Sequence, residues 1–314
     1  MVDLSVRLGS LVLKNPVMTA SGTFGYGLEY RSLIDLNLLG GIIVKGLSLA
    51  PSAGNPPPRI IETPAGMLNA IGLQNIGVEA FIQEKLPALR GFDVAIIANI
   101  YGCTVEEYST VARRLSEAEG ITALEVNISC PNIKAGGIQF GKDPRQAGQL
   151  ISAVRQATSL PLIVKLTPNT DRIREVALRV EDAGADCISL INTFIGMAID
   201  VDTRTPLLAT VTGGLSGPAI KPLALRMVWD IVQVVSVPVI GVGGISCSRD
   251  ALEFIIAGAH AVQVGTANFI NPGVCAEIIT GIEAYLADHA IASISELRGS
   301  LRINTHDQKC DKSH

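Results

Sequence analysis

The sequence predicts a single α/β domain, a closed (β/α)8 TIM barrel with long loops covering its C-terminal mouth, and three observations carry that prediction. Eight short apolar runs rich in β-branched residues recur along the 314 residues, most of them closing on a polar residue or glycine. Segments with helical periodicity lie between them. Two Gly- and Pro-rich stretches, 46–75 and 194–222, are too long for plain strand-to-helix connections and read as functional covers. A chain of this length buries a large core, and eight β/α units favour a closed barrel over an open, doubly wound sheet.

The runs, in order, are PVMTASG (16–22), GIIVKG (41–46), DVAIIANI (93–100), ALEVNIS (123–129), PLIVKLTP (161–168), DCISLINT (186–193), PVIGVGG (238–244) and AVQVGT (261–266). Apolar residues at helix spacing, with charges opposite, mark 105–119, 144–158, 171–185, 221–235 and 248–259 as helical. A third glycine-bearing stretch, CPNIKAGGIQFGKD (130–143), reads as a mobile lid. The barrel is expected to span 1–303, leaving 304–314, NTHDQKCDKSH, as a polar, disordered tail.

With 25 Lys+Arg against 29 Asp+Glu, the chain lacks the basic excess that would neutralise nucleic-acid phosphates or bind anionic lipid. Neither nucleic acid nor membrane is an expected partner. The opening MVDLSVRLGS has no apolar signal core, and the uncharged stretch 231–248 is broken by Pro238, Gly241, Gly243 and Gly244, so a cytoplasmic protein is expected. The cysteines at 103, 130, 187, 247, 275 and 310 form no CxxC and have no histidine at ligand spacing, so no metal site or iron–sulfur cluster is expected on this chain. Cys103, Cys187, Cys247 and Cys275 read as small buried or half-buried side chains.

Barrel enzymes work at the C-terminal ends of their strands, which makes Ser21, Lys45, Asn99, Asn127, Lys165 and Asn192 the first candidates for chemistry. Gly243 and Gly244 after strand 7, with Gly265 and Thr266 after strand 8, offer backbone N–H groups for a phosphate. Lys45 and Lys165 end strands 2 and 5 in the similar contexts IIVKG and LIVKL. Such a lysine needs a polar or charged partner in the mouth, snorkels to solvent, or serves as a Schiff-base nucleophile. Asn69, Asn127 and Asn192 suit a planar, amide-rich ligand, although each alone also reads as a turn residue. Cys130, three residues past Asn127, is a candidate general base or nucleophile.

Taken together, NISCPN, ETPAGMLNAIGLQN, NTFIGMAID, GGLSGPAIKP, GVGGI and VGTA closely resemble the catalytic subunit of dihydroorotate dehydrogenase over about residues 3–303. GMAID followed by GGLSGPAIKP is similar to the class 1B, NAD-linked branch. The resemblance implies oxidation of (S)-dihydroorotate to orotate in de novo pyrimidine (UMP) biosynthesis, with FMN as hydride acceptor. It implies FMN contacts from Ser21, Lys45, Gly46, Asn99, Asn127, Lys165, Ile191, Gly217, Gly243, Gly244, Gly265 and Thr266. Substrate contacts are implied for Lys45, Asn69, Ala70, Ile71, Gly72, Leu73, Asn127, Asn192 and Thr193. Cys130 is implied as the catalytic base and Lys165 as the charge that stabilises reduced flavin.

Because the chain has neither a GxGxxG fingerprint nor a cysteine cluster, the resemblance further implies an electron-transfer subunit carrying FAD and a 2Fe-2S cluster, in a heterotetramer with two copies of each chain. Two alternatives stand beside this reading. One is a class 1A-like, fumarate-linked enzyme. The other, from a different class, is a phosphate-binding lyase or isomerase using Lys165.

Overall fold

A computed structural model describes residues 2–128 and 137–303, without the side chains of 137–139. Cys130, the first half of the expected lid (130–136) and the expected tail lie outside the described residues. Eight parallel strands close into a barrel in sequence order: β1 (Val17–Thr19), β2 (Gly41–Ile43), β3 (Ala95–Ile100), β4 (Ala123–Asn127), β5 (Leu162–Lys165), β6 (Cys187–Leu190), β7 (Val239–Val242) and β8 (Ala261–Val264). Each lies within one of the eight apolar runs. Their residues are buried almost without exception, as expected for strands covered by helices outside and packed side chains within.

The five periodic segments form helices at Val105–Ser116, Pro144–Ala157, Ile173–Asp182, Lys221–Val232 and Ser248–Ile256, and a sixth, Val274–Asp288, follows β8. Local chemistry fixes where they begin. The Thr104 hydroxyl accepts from the Glu107 N–H, and Asp143 accepts from the Gln146 N–H with Pro144 in the first turn. The repeat is imperfect at its start, since β1 and β2 are joined only by the 3-10 turns Leu28–Tyr30 and Leu36–Leu38.

An N-terminal hairpin, absent from the sequence reading, pairs Val6–Leu8 with Leu11–Leu13. Val6, Leu8, Leu11 and Leu13 are buried in the main core while Arg7 and Val12 face out. Its turn glycine, Gly9, has φ +63° and lies against Asp186 just before β6, so the hairpin closes the N-terminal end of the barrel.

The two long stretches expected as covering loops carry a sheet. Phe194–Met197, Thr212–Ser216, Gly66–Asn69 and Ile60–Thr63 form four antiparallel strands in that spatial order, with Gly214 opposite Asn69 and Ser216 opposite Met67. The cover has its own small core of Leu68, Ala70 and Leu208. Glycine permits the close approach of its strands: a Cβ on Gly66 would collide with the Ser216 carbonyl, and one on Gly214 with Thr193 Oγ1.

Candidate active site

Between the C-terminal strand ends and the cover lies a cavity of about 300 Å³. Ser21, Lys45, Asn99, Asn127, Lys165 and Asn192 all line it, as do Gly46, Ile191, Gly217, Gly243, Gly244, Gly265 and Thr266. The cover and its flanks contribute Asn69, Ile71, Gly72, Leu73 and Thr193. Ala70 is the exception among the expected contacts. Alternation along the strand turns it into the cover's own core, fully buried beside Leu68 and Leu208.

The floor of the cavity is polar, although barrel interiors are commonly filled by branched aliphatic side chains. Glu125, in mid-β4 and wholly buried, accepts from Asn99 Nδ2 (2.7 Å), Ser189 Oγ (3.0 Å) and Gln263 Nε2 (2.6 Å). Lys165 Nζ stands 3.6 Å from Glu125 Oε1 and donates to Gln263 Oε1 at 3.4 Å. Lys165 thus meets the first of its three sequence-level alternatives, a charged partner inside the mouth. Asn99 Oδ1, in contrast, is buried without a hydrogen-bond partner among the described residues.

Sequence reasoning missed Glu125, Ser189 and Gln263 because it searched only strand ends. The signal was present: Glu in ALEVN and Gln in AVQV are costly residues in otherwise apolar strands.

Hydrogen bonds hold the walls in place. Tyr108 OH donates to the Asn127 carbonyl (2.7 Å), fixing the end of β4. Tyr101 OH donates to the Leu73 carbonyl (2.9 Å) and accepts from Asn75 Nδ2 (2.7 Å), pinning the segment that carries Ile71–Leu73. Thr266 Oγ1 donates to Ser216 Oγ (2.8 Å), tying the cover to the end of β8.

Gly243 and Gly244 have φ values of +128° and +72°, conformations in which their backbone approaches neighbours closely. A Cβ on Gly244 would lie 2.8 Å from the Lys221 nitrogen and 2.9 Å from the Gly217 carbonyl. Behind this loop, Lys221 Nζ donates to Asp250 Oδ1 (2.7 Å) and Glu253 Oε1 (3.0 Å), while Asp250 Oδ2 accepts from the Ser246 N–H and hydroxyl. The bond to Asp250 raises the Lys221 pKa despite partial burial. Burial pushes the Asp250 carboxyl upward, but the bonds from Lys221 and Ser246 outweigh it and hold it below the ordinary value.

Of Cys103, Cys187, Cys247 and Cys275, expected to be buried or half-buried, two are exposed. Cys187 and Cys275 are buried, with the Cys275 thiol pushed up to about 12 by burial and the Cys187 thiol also raised. Cys103 and Cys247 are exposed, because each stands in the turn that leads into a helix rather than on a packed face. Among the described residues, no cluster of three or more His, Cys, Asp or Glu could hold a metal ion, and no helix is long and apolar enough to cross a membrane.

Residues 3–286 match the family model described as dihydroorotate dehydrogenase. The chain is 59% identical over 299 residues to the protein of Geotalea uraniireducens named "Dihydroorotate dehydrogenase B (NAD(+)), catalytic subunit", covering 95% of this chain and 98% of that one. Proteins of the same name from Trichlorobacter lovleyi and Geobacter sulfurreducens are 60% and 57% identical, over 95% and 96% of this chain and 98% and 99% of their own lengths. A barrel whose strand ends and cover converge on one polar-floored cavity, matched along nearly its whole length by these relatives, belongs to the dihydroorotate dehydrogenase family.

Proposed function

We propose that this chain oxidises (S)-dihydroorotate to orotate with FMN as hydride acceptor, as the catalytic subunit of an NAD-linked enzyme of cytoplasmic pyrimidine synthesis. The observation that carries the reading is the cavity floor, where a buried cation and an unpartnered buried acceptor stand together. An isoalloxazine ring carries an imide N–H that needs an acceptor, and Asn99 Oδ1 is one. Its reduced form gains negative charge, and Lys165 is the buried cation nearest that need. The phosphate suits the glycine-lined mouth at Gly243, Gly244 and Gly265, with Gly217 and Thr266 beside it. The residues present therefore fit FMN.

Bound there, FMN would supply the acceptor for the hydride that leaves C6 of the substrate. Cys130 Sγ removes the proton from C5, so that the C5–C6 double bond forms as proton and hydride depart. Cys130 lies outside the described residues, and the resemblance at NISCPN supports its role. Asn69, Asn127, Asn192 and Thr193 orient the planar substrate through amide and hydroxyl groups, and Lys45 offers its charge to the substrate carboxylate. The cover excludes water while the proton moves.

The names of the relatives, with their NAD(+) and "catalytic subunit", support a partner chain as the route for electrons. That partner carries FAD and a 2Fe-2S cluster, and the complex contains two copies of each subunit. The same names weigh against the fumarate-linked alternative. The lyase reading needs Lys165 as a free amine, whereas its ammonium is matched to the buried Glu125 carboxylate.

The test is a visible spectrum of the purified chain supplied with FMN, followed by anaerobic addition of dihydroorotate. The expected result is a flavin spectrum that bleaches. A chain that stays colourless refutes the cofactor, and one that is yellow but never bleaches refutes the substrate.

A further inference from the structure

Glu125 lies deeper in the barrel than the residues expected to touch the flavin, and its hydrogen-bonding pattern determines what two of them present. An ionised carboxylate only accepts. Facing it, the Asn99 amide must direct Nδ2 inward, at 2.7 Å, which leaves Oδ1 without a partner among the described residues. Gln263 must likewise direct Nε2 to Glu125, at 2.6 Å, which turns its Oε1 toward Lys165 Nζ. Lys165 itself stands 3.6 Å from the same carboxylate. One wholly buried anion thus fixes the acceptor offered by Asn99 and restrains the cation offered by Lys165.

We propose that Glu125 is a positioning residue for the flavin, which orients the Asn99 amide toward the ring's N–H and offsets the charge of Lys165, thereby holding down the flavin's reduction potential. The proposal rests on the FMN reading. Its physical basis is that a cation near the ring favours the reduced, more negative form, and a carboxylate paired with that cation removes part of this preference. In Glu125→Gln the negative charge is lost, and the new amide N–H group opposes either Asn99 Nδ2 or Gln263 Nε2. Asn99 relieves that opposition by turning over, which replaces its unpartnered acceptor with a donor.

The experiment uses the full chain loaded with FMN and measures the midpoint potential by dye equilibration, with the flavin absorbance spectrum alongside. Glu125→Gln is expected to raise the ratio of reduced-to-oxidised flavin affinity at least tenfold, about 30 mV for a two-electron couple, and to shift the absorbance bands. The double variant Glu125→Gln/Lys165→Met removes both members of the buried ion pair together, so that neither charge is left unpaired. Its potential is expected to stay within that tenfold range of the wild type.

If Glu125 were only structural, the single variant would lose stability or flavin content with the potential of the remaining flavin unchanged. The double variant would then shift toward negative potential through loss of the cation alone. Either result overturns the proposal, and the second remains readable should the single variant fail to fold. A wild-type chain that takes up no FMN overturns the flavin reading itself, which separates the two failures.

Discussion

The carboxylate of Glu125 is removed from water at a cost of several kcal/mol, and its neighbours must return that energy. Three charge-assisted hydrogen bonds at roughly 1.5–3 kcal/mol each, together with the Lys165 ammonium, are of the right size to do so. Cys130 presents a different case, since its role is chemical rather than structural. Cys130→Ala is expected to retain FMN and to lose most dihydroorotate oxidation near neutral pH, read by stopped-flow bleaching of the flavin; unimpaired bleaching removes it as the base. The polar residues at strand ends were legible in the sequence because barrel topology sends strand ends to one mouth. Glu125 and Gln263 were legible only as costly polar residues in apolar strands, since which of two faces a mid-strand residue takes depends on barrel closure, and Ala70 was assigned to the site as part of a run whose alternation turns it away.

Among the elements, the cover was the least legible. Stretches 46–75 and 194–222 are rich in glycine and proline, which in isolation mark loops. Gly66 and Gly214 are instead required where the cover's strands press on neighbouring backbone and on Thr193. Gly66→Ala is expected to force Gly66 and Ser216 apart, costing about 1–3 kcal/mol of local packing. Amide exchange in 60–69 and 194–216 should accelerate while the barrel strands stay protected; equal acceleration throughout would show that the cover is not a separate unit. The helices at 105–116 and 144–157 were legible because amphipathic periodicity is a local signal. The missing helix between β1 and β2 depends on packing that no local pattern encodes, whereas the N-terminal hairpin had an overlooked local signal, the Gly9-Ser10 turn between the alternating runs VRL and LVL.

For the molecule as a whole, the barrel end opposite the mouth carries its own pH dependence. His260, just before β8, accepts from the Val239 N–H at the start of β7. Burial, with a contribution from Arg298, lowers its pKa from 6.5 to about 4. The unfolded chain therefore takes up the proton first, so this contribution to stability is complete above about pH 6.5 and is lost as the pH falls toward 4. Thermal midpoints measured across that interval should fall, and His260→Gln should flatten the decline without altering FMN content. An unchanged slope in the variant would assign the acid sensitivity elsewhere.

The pairing of the two halves of the cover also has a consequence in time. Asn69 Nδ2 donates to the Gly214 carbonyl across 145 residues of sequence, and contacts of such separation form late because the intervening chain must first be closed into a loop. During synthesis the strand Gly66–Asn69 leaves the ribosome long before Thr212–Ser216 exists to meet it, and β7 and β8 with their glycine loops come later still. A nascent or truncated chain that ends before residue 212 therefore carries three of the cover's strands without the central one that joins its two halves, and none of the glycine loops after β7 and β8. On the proposed FMN reading, the capacity to hold the cofactor arises only once nearly the whole chain has been made, and flavin uptake then marks a completed fold.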